Sequence, residues 1–508
     1  MSPSSAPART LVSALTIVVL ALLAGCTAAG NEGSSGDHAT TTSGAPDGFE
    51  RYYSQKTDWS GCGDGFDCAT VEVPLSWHDA GAGTIKLAVK RHRATGSSKG
   101  TLLVNPGGPG GSGVEYVTSA WNGFGERLRD SFDVVGFDPR GVGQSTPVKC
   151  FDDARKDESL AKDFGVDDAG LAGMAAEYAA WAKACKENTG ELLGNVDTQS
   201  AARDMDVIRA TLGEDKLSYL GFSYGTQLGA TYAGLFPQRV GAMVLDGAID
   251  MTLDADDTSA QQAVGFEKAL RNYVADCQGG SGCPLSGDVD AGMREVRHIL
   301  DRAFTDPYPT QSNRRVTQSL AFYGIAVTLY DQKSWSALTQ ALDEVIHQGT
   351  ANTLLYLADF YNDRNDDGTF GNNSAEAFRA VSCLDARGTT DVAQMRADAA
   401  AIEAEAPTIG RFFAFSGLMC SDWPYPVVAQ DFDVHAQGAP PIVVIGTTHD
   451  PATPYAWAQA LAKTLDSGVL VTYAGEGHTA YGRSNACIVD AVDAYFVDGT
   501  VPKDGLQC

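Results

Sequence analysis

The run Gly221-Phe222-Ser223-Tyr224-Gly225 carries the chemistry most openly. An apolar strand pattern, Leu217–Phe222, precedes the serine, and a helical pattern from Tyr224 to Phe236 follows it. A serine at such a turn is forced into strained backbone angles that expose its hydroxyl at the C-terminal edge of a sheet. Side chains at 221 or 225 would collide with neighbouring backbone, so both positions are Gly. The helix opening at Tyr224 directs its positive end, roughly half a charge, at any oxyanion formed beside Ser223.

A serine hydroxyl is a weak nucleophile and needs a base, which needs an orienting acid. When the nucleophile sits on a strand-to-helix turn, the acid and then the histidine follow it in the chain. His478, in Gly-Glu-Gly-His-Thr, follows the last expected strand, and Asp450, in Thr-His-Asp-Pro, ends the strand before that. These positions predict Ser223 as nucleophile, Asp450 as acid and His478 as base. His449 stands beside Asp450, but no acid precedes it at the end of a late strand. Asp246, ending the strand after the nucleophile helix, competes for the acid, and Asp138 in Asp-Pro-Arg-Gly reads as structural. His38, His78, His92, His298, His347 and His435 read as surface or core histidines.

A tetrahedral intermediate also needs two N–H donors for its oxygen: one from the residue after the nucleophile, Tyr224, and one from a loop after an earlier strand. Residues 105–113, NPGGPGGSG, are that loop, with Gly107 and Gly108 as the expected source. The same stretch contains a G-x-G-x-x-G, with Asp133 standing 20 positions after it. A dinucleotide site would leave Ser223, Asp450 and His478 without a role, so no cofactor is expected.

These residues need a sheet to converge. Residues 69–75 and 84–90 alternate as antiparallel strands, and 100–104, 132–137, 217–222 and 242–245 read as buried strands. Helical patterns stand near 156–187, from a cap at Thr198 to Leu212, and over 224–236. This alternation argues a mostly parallel sheet with helices on both faces. From 250 to 430 the pattern becomes helical, and the strand rhythm resumes at 441–445 and 468–473 before a last helix over 485–495. The expected organisation is one sheet domain, 48–249 and 431–508, interrupted by a helical cap at 250–430.

The N-terminus bears on compartment. Leu11–Leu23 is a short apolar stretch behind Arg9, ending in Leu-Ala-Gly-Cys. It reads as a lipoprotein signal peptide over 1–25, with Cys26 lipidated, followed by a small, polar tether to residue 47. Export as a secreted or membrane-anchored protein is the expectation, the membrane being reached only through that lipid. Ten of the 11 cysteines then remain, enough for five disulfides in an oxidising compartment. Spacing favours Cys62–Cys68 and Cys277–Cys283; neighbourhood gives Cys150–Cys185, Cys383–Cys420 and Cys487–Cys508. No His stands near them at zinc-ligand spacing. Asp363–Gly368 matches half of a calcium loop, but Ser374 replaces its last Glu, so an acidic turn is expected and no metal. A net charge of −27 without a basic run argues against nucleic acid as a partner.

With these stretches on the page, the chain resembles the α/β-hydrolase peptidases of the prolyl iminopeptidase and tripeptidyl aminopeptidase group, above all the secreted actinobacterial tripeptidyl aminopeptidases. CATVEVPLSW, NPGGPGGSG, GFDPRGVGQS, GFSYGTQLGATYAGLFPQRV, GTTHDPATPYAWA and GEGHTAYG carry the resemblance. It implies release of short peptides from a free N-terminus, with the cap excluding longer chains. The H-G-G-P-G loop of iminopeptidases is here Pro106–Gly110, which argues against strict N-terminal proline specificity. An aminopeptidase needs an anion for the substrate ammonium, and Glu115, Asp385 and Asp422 are the acids considered. An esterase or lipase on the same scaffold, and a non-catalytic peptide-binding lipoprotein, are the competing readings.

Overall fold

The computed structural model describes residues 44–508; the expected signal peptide, Cys26 and all but the end of the tether lie outside them. Twelve strands follow in chain order: β1 Ser60–Gly61, β2 Phe66–Ser76, β3 Asp79–His92, β4 Thr101–Asn105, β5 Asp133–Phe137, β6 Leu217–Phe222, β7 Val240–Asp246, β8 Tyr308–Pro309, β9 Arg315–Val316, β10 Ile442–His449, β11 Gly468–Glu476 and β12 Leu506–Gln507. All but β8 and β9 join one sheet in the order β1-β2-β3-β5-β4-β6-β7-β10-β11-β12. The first three strands are antiparallel and the rest, from β5 onward, parallel.

The central strands read as continuous apolar runs because both of their faces are buried. In β10, Ile442 and Val444 join one core with Leu228 and Leu461, while Val443 and Ile445 join the other with Leu128, Ile488 and Val492. Helices Thr198–Thr211, Tyr224–Leu235 and Tyr455–Thr464 therefore cover one face, and Gly113–Ala120, Glu126–Ser131 and Ala486–Asp498 the other. Between β7 and β10 the regular elements are helices joined by loops, with β8 and β9 as a small antiparallel ribbon. These helices bury a cluster of their own, including Leu270, Val296, Leu300, Ile325 and Leu342.

Local details depart from the sequence expectations. The first two long strands extend beyond 69–75 and 84–90 because they run together through a tight turn at Trp77-His78. The helix expected near 156–187 is two, Asp153–Leu160 and Asp168–Thr189, the second started by Asp167 accepting the Gly170 N–H. The cap expected at Thr198 is one residue earlier: Asp197 accepts the Ser200 N–H at 2.8 Å, freeing the Thr198 side chain for other partners. All five cysteine pairs form, the two that spacing favoured and the three that neighbourhood gave.

Candidate active site

Ser223 closes β6 and opens helix Tyr224–Leu235 with φ +55° and ψ −126°, outside the regions an L-residue favours. Three hydrogen bonds hold this conformation: the Ser223 N–H donates to the Asp246 carbonyl at 2.9 Å, and the Ser223 carbonyl accepts the Thr226 N–H at 2.8 Å and the Thr226 hydroxyl at 2.6 Å. The steric expectation at the flanking glycines holds. A Cβ on Gly221 would stand 2.3 Å from the Gly225 carbonyl oxygen, and one on Gly225 2.8 Å from that of Asn105.

Asp450 and His478 meet at the ends of β10 and β11. His478 Nδ1 lies 2.9 Å from both carboxylate oxygens of Asp450, whose side chain is fully buried. Asp450 also accepts the N–H groups of Ala452 and Thr453 at 2.9 Å and the Thr453 hydroxyl at 3.0 Å. A carboxylate so surrounded is held in one orientation and fixes the ring. The His478 N–H donates to the Tyr330 carbonyl at 2.9 Å, and the Tyr330 ring stands edge-on to the imidazole at 5.3 Å. His449, the alternative base, pairs instead with Glu476 at 2.6 Å.

Ser223 Oγ makes no hydrogen bond to the His478 ring in this structure. The two residues nonetheless flank the same strand end. Asp246, whose carbonyl takes the Ser223 N–H, is followed by Gly247, where an added Cβ would lie 3.2 Å from His478 Cε1. Catalytic pairs of this kind are often long before substrate binds and shorten with it.

Asp246, weighed above as a competing acid, does not touch the imidazole nitrogens by hydrogen bond. Its carboxylate accepts the N–H groups of Ala480 at 3.0 Å and Tyr481 at 2.7 Å, behind the histidine. Burial, against the pull of those N–H groups, pushes its carboxyl up to about 6. Asp138 is also engaged structurally: it accepts from the Ser112 hydroxyl at 2.6 Å and the Gln144 N–H at 2.8 Å.

The glycine loop lies where an oxyanion would form. A Cβ on Gly107, whose φ is +96°, would stand 2.9 Å from Ser223 Cβ and 3.0 Å from Tyr224 N. The Tyr224 N–H, at the first position of its helix, belongs to the orphan donors of a helix start. One expectation needs correcting: the Gly107 N–H is already taken by the side-chain oxygen of buried Asn105, at 2.9 Å. Gly107 therefore supplies room rather than a donor. The Gly108 N–H makes no hydrogen bond among the described residues.

Of the three acids considered for a substrate ammonium, Asp385 accepts both the N–H and the hydroxyl of Thr198. The Thr198 hydroxyl lies in turn 2.5 Å from that of Tyr224. These bonds and its burial, which pushes the carboxyl up to about 7, make Asp385 a link beneath the nucleophile helix rather than a free anion. Asp422 is exposed and bonds to Ser421. Only Glu115, one helical turn past the glycine loop, has a carboxylate without a hydrogen-bonding partner. Glu115 is exposed, and desolvation by its surroundings, then the charges of Asp138 and Asp363, raise its pKa.

Sequence reasoning missed four contributors. Asn105 and Thr453 stood within the motifs, as the last residue of β4 and the third after Asp450, but their side-chain bonds have no sequence signature. Asp246 was visible only as a competitor, and Tyr330, far away in the chain, gave no signal.

Residues 406–508 match a protein family described as "TAP-like protein". Over 457 residues the chain is 38% identical to the serine protease Hip1 of Mycobacterium tuberculosis, covering 87% of each chain. Over 450 residues it is 38% identical to a Mycobacterium tuberculosis protein named carboxylesterase B, covering 87% of this chain and 86% of that one. Against the tripeptidyl aminopeptidase of Streptomyces lividans it is 30% identical, covering 89% and 86%. The sheet order, the serine elbow between β6 and its helix, and identity sustained over nearly the whole chain agree: the chain belongs to the tripeptidyl aminopeptidase-like family of α/β-hydrolase serine peptidases.

Proposed function

We propose that the chain is an exported aminopeptidase, of tripeptidyl type, that releases short peptides from free N-termini through an acyl-enzyme on Ser223. His478 takes the proton from Ser223 Oγ as that oxygen attacks the peptide carbonyl carbon, and returns it to the leaving amine. Asp450 keeps the proton-bearing Nδ1 turned towards itself and stabilises the imidazolium. The N–H groups of Tyr224 and Gly108 receive the oxyanion, each such donor being worth about 10²–10³ in rate. Water then attacks the ester, with His478 again as base. Glu115 is the acid proposed for the substrate ammonium, and the helices between β7 and β10 act as the cap that limits substrate length.

One observation supports these roles above the others: His478 Nδ1 lies 2.9 Å from the buried Asp450 carboxylate, at the same C-terminal edge of the parallel strands at which β6 ends in Ser223. Five disulfides favour an oxidising compartment, with lipidation at Cys26 as the proposed anchor. A fluorophosphonate probe should label the wild type and not Ser223→Ala. Mass spectrometry of a peptide library should show tripeptides released from free N-termini and none from acetylated ones. Failure of the folded wild type to label would remove the nucleophile and favour the non-catalytic peptide-binding reading.

The second reading, an ester hydrolase, is favoured by the 38% identity to the protein named carboxylesterase B. Rapid turnover of simple acyl esters, with no cleavage of any peptide in the library, would select it.

A further inference from the structure

A cavity of about 530 Å³ opens away from the serine elbow, and none of Ser223, Asp450 and His478 lines it. Its walls come from helix Asp168–Thr189, from helices Gln318–Leu329 and Ser374–Asp385, and from the segment around 411–415. Much of the lining is aromatic. Phe322 stacks on Phe412 at 4.1 Å and 9°, and Tyr178, Trp181 and Tyr323 stand around them.

One cation in this wall lacks an acid. Arg379 places its guanidinium carbon over the Trp181 ring, 4.2 Å from the centroid, and donates from one terminal nitrogen to the Ala375 carbonyl of its own helix. Its Nε is buried with no hydrogen-bond partner among the described residues. No carboxylate there comes within ion-pair distance of its guanidinium, in a chain whose net charge is −27. The acids that share the cavity are engaged elsewhere. Glu177 holds Arg155 and Lys162, Asp301 holds Arg297 and Arg411, and Asp163 accepts the N–H groups of Gln318 and Ser319.

A guanidinium that lines a cavity and has no carboxylate of its own is a ready partner for an anion that enters there. The planar fork of Arg matches a carboxylate, and a lone fork between satisfied acids suits a monoanion better than a phosphate dianion. Aromatic walls favour an apolar or aromatic body.

We propose that this cavity binds a carboxylate carried on an aromatic or large aliphatic body, with Arg379 taking the carboxylate and the Trp181–Phe322–Tyr323 wall taking the body. Two sources share that chemistry: the C-terminal residue of a short peptide and a free arylalkanoic acid. The site also borders the catalytic histidine. Tyr323 stacks on Tyr361 at 5.1 Å, and Tyr330, in the loop that follows the helix of Tyr323, packs on His478. The binding does not depend on Ser223 being the nucleophile.

The test is calorimetric titration of the mature protein with N-acetylphenylalanine, 3-phenylpropionate and N-acetylphenylalaninamide. Both acids, or one of them, should bind saturably, and the amide should bind at least about tenfold more weakly. Saturation by N-acetylphenylalanine alone identifies a peptide end; saturation by both identifies the acid itself. Arg379→Gln should weaken the acids by about tenfold or more while fluorophosphonate labelling of Ser223 stays at the wild-type rate. Equal affinity for acid and amide, absence of saturable binding by either acid, or unchanged affinity in a folded Arg379→Gln overturns the proposal. The acid–amide comparison uses the wild type, so it stands even if the variant does not fold.

Discussion

The Ser223 N–H donates to the Asp246 carbonyl at 2.9 Å, while the Asp246 carboxylate takes the N–H groups of Ala480 and Tyr481. One residue thus ties the strained elbow to the loop that carries His478, with its backbone on one side and its side chain on the other. Asp246→Ala keeps the first bond and leaves two buried N–H groups unmatched, at about 1–3 kcal/mol for each unsatisfied group. The expected result is a fall in kcat with KM little changed, because a displaced His478 impairs proton transfer more than binding. Steady-state kinetics on a short peptide substrate checks this. A lowered thermal midpoint with wild-type kcat would reduce Asp246 to a purely structural role.

Asp450 makes contacts that a neutral amide cannot reproduce. Its oxygens receive His478 Nδ1, three backbone N–H groups and the Thr453 hydroxyl. Asp450→Asn removes the charge that stabilises the imidazolium and favours the wrong ring tautomer, for an expected loss of about 10⁴ in kcat. Thr453→Val removes only the hydroxyl bond and should cost far less, about tenfold. Fluorophosphonate labelling rates should fall in the same order. Equal rates in Asp450→Asn and wild type would exclude Asp450 as the orienting acid.

Much of this site was legible because its parts obey local rules. Ser223 was visible from steric demand: only glycine fits at 221 and 225, and strand β6 occupies the predicted residues 217–222. Asp450 and His478 followed from chain order once the elbow was placed. What stayed hidden depends on side chains meeting across the fold. Asn105 takes the Gly107 N–H, so of the two glycines expected to serve as donors one is already engaged. Asp197 replaces Thr198 as a cap, because Thr198 instead joins Asp385 to Tyr224. Periodicity reports which face of an element is apolar, but not which distant polar group a buried donor will choose.

Gly107 tests the oxyanion geometry directly. Its φ of +96° disfavours any other residue, and a Cβ there would stand 2.5 Å from the Phe222 carbonyl oxygen as well as against Ser223 and Tyr224 N. Gly107→Ala should shift the loop away from the elbow and lower kcat by about 10²-fold or more, the scale of losing one oxyanion donor. The far side of the molecule should not respond, so a thermal midpoint lowered by only a few degrees is expected. Wild-type kcat in this variant would show that the loop does not approach the reacting carbonyl.

Asp385 gives a prediction in pH. Burial raises its carboxyl to about 7, from 3.8 when exposed. Between about pH 4 and 7 the folded protein therefore holds a proton at Asp385 that the unfolded chain has released. Stability contributed by this group is full below pH 4 and is lost as pH rises through 7, after which it is level. Asp385→Asn stays neutral throughout, while its amide oxygen can still accept the Thr198 N–H. The variant should accordingly lose less stability than the wild type between pH 5 and pH 8, as read by chemical denaturation with the disulfides intact. Parallel curves for the two proteins would place the proton elsewhere.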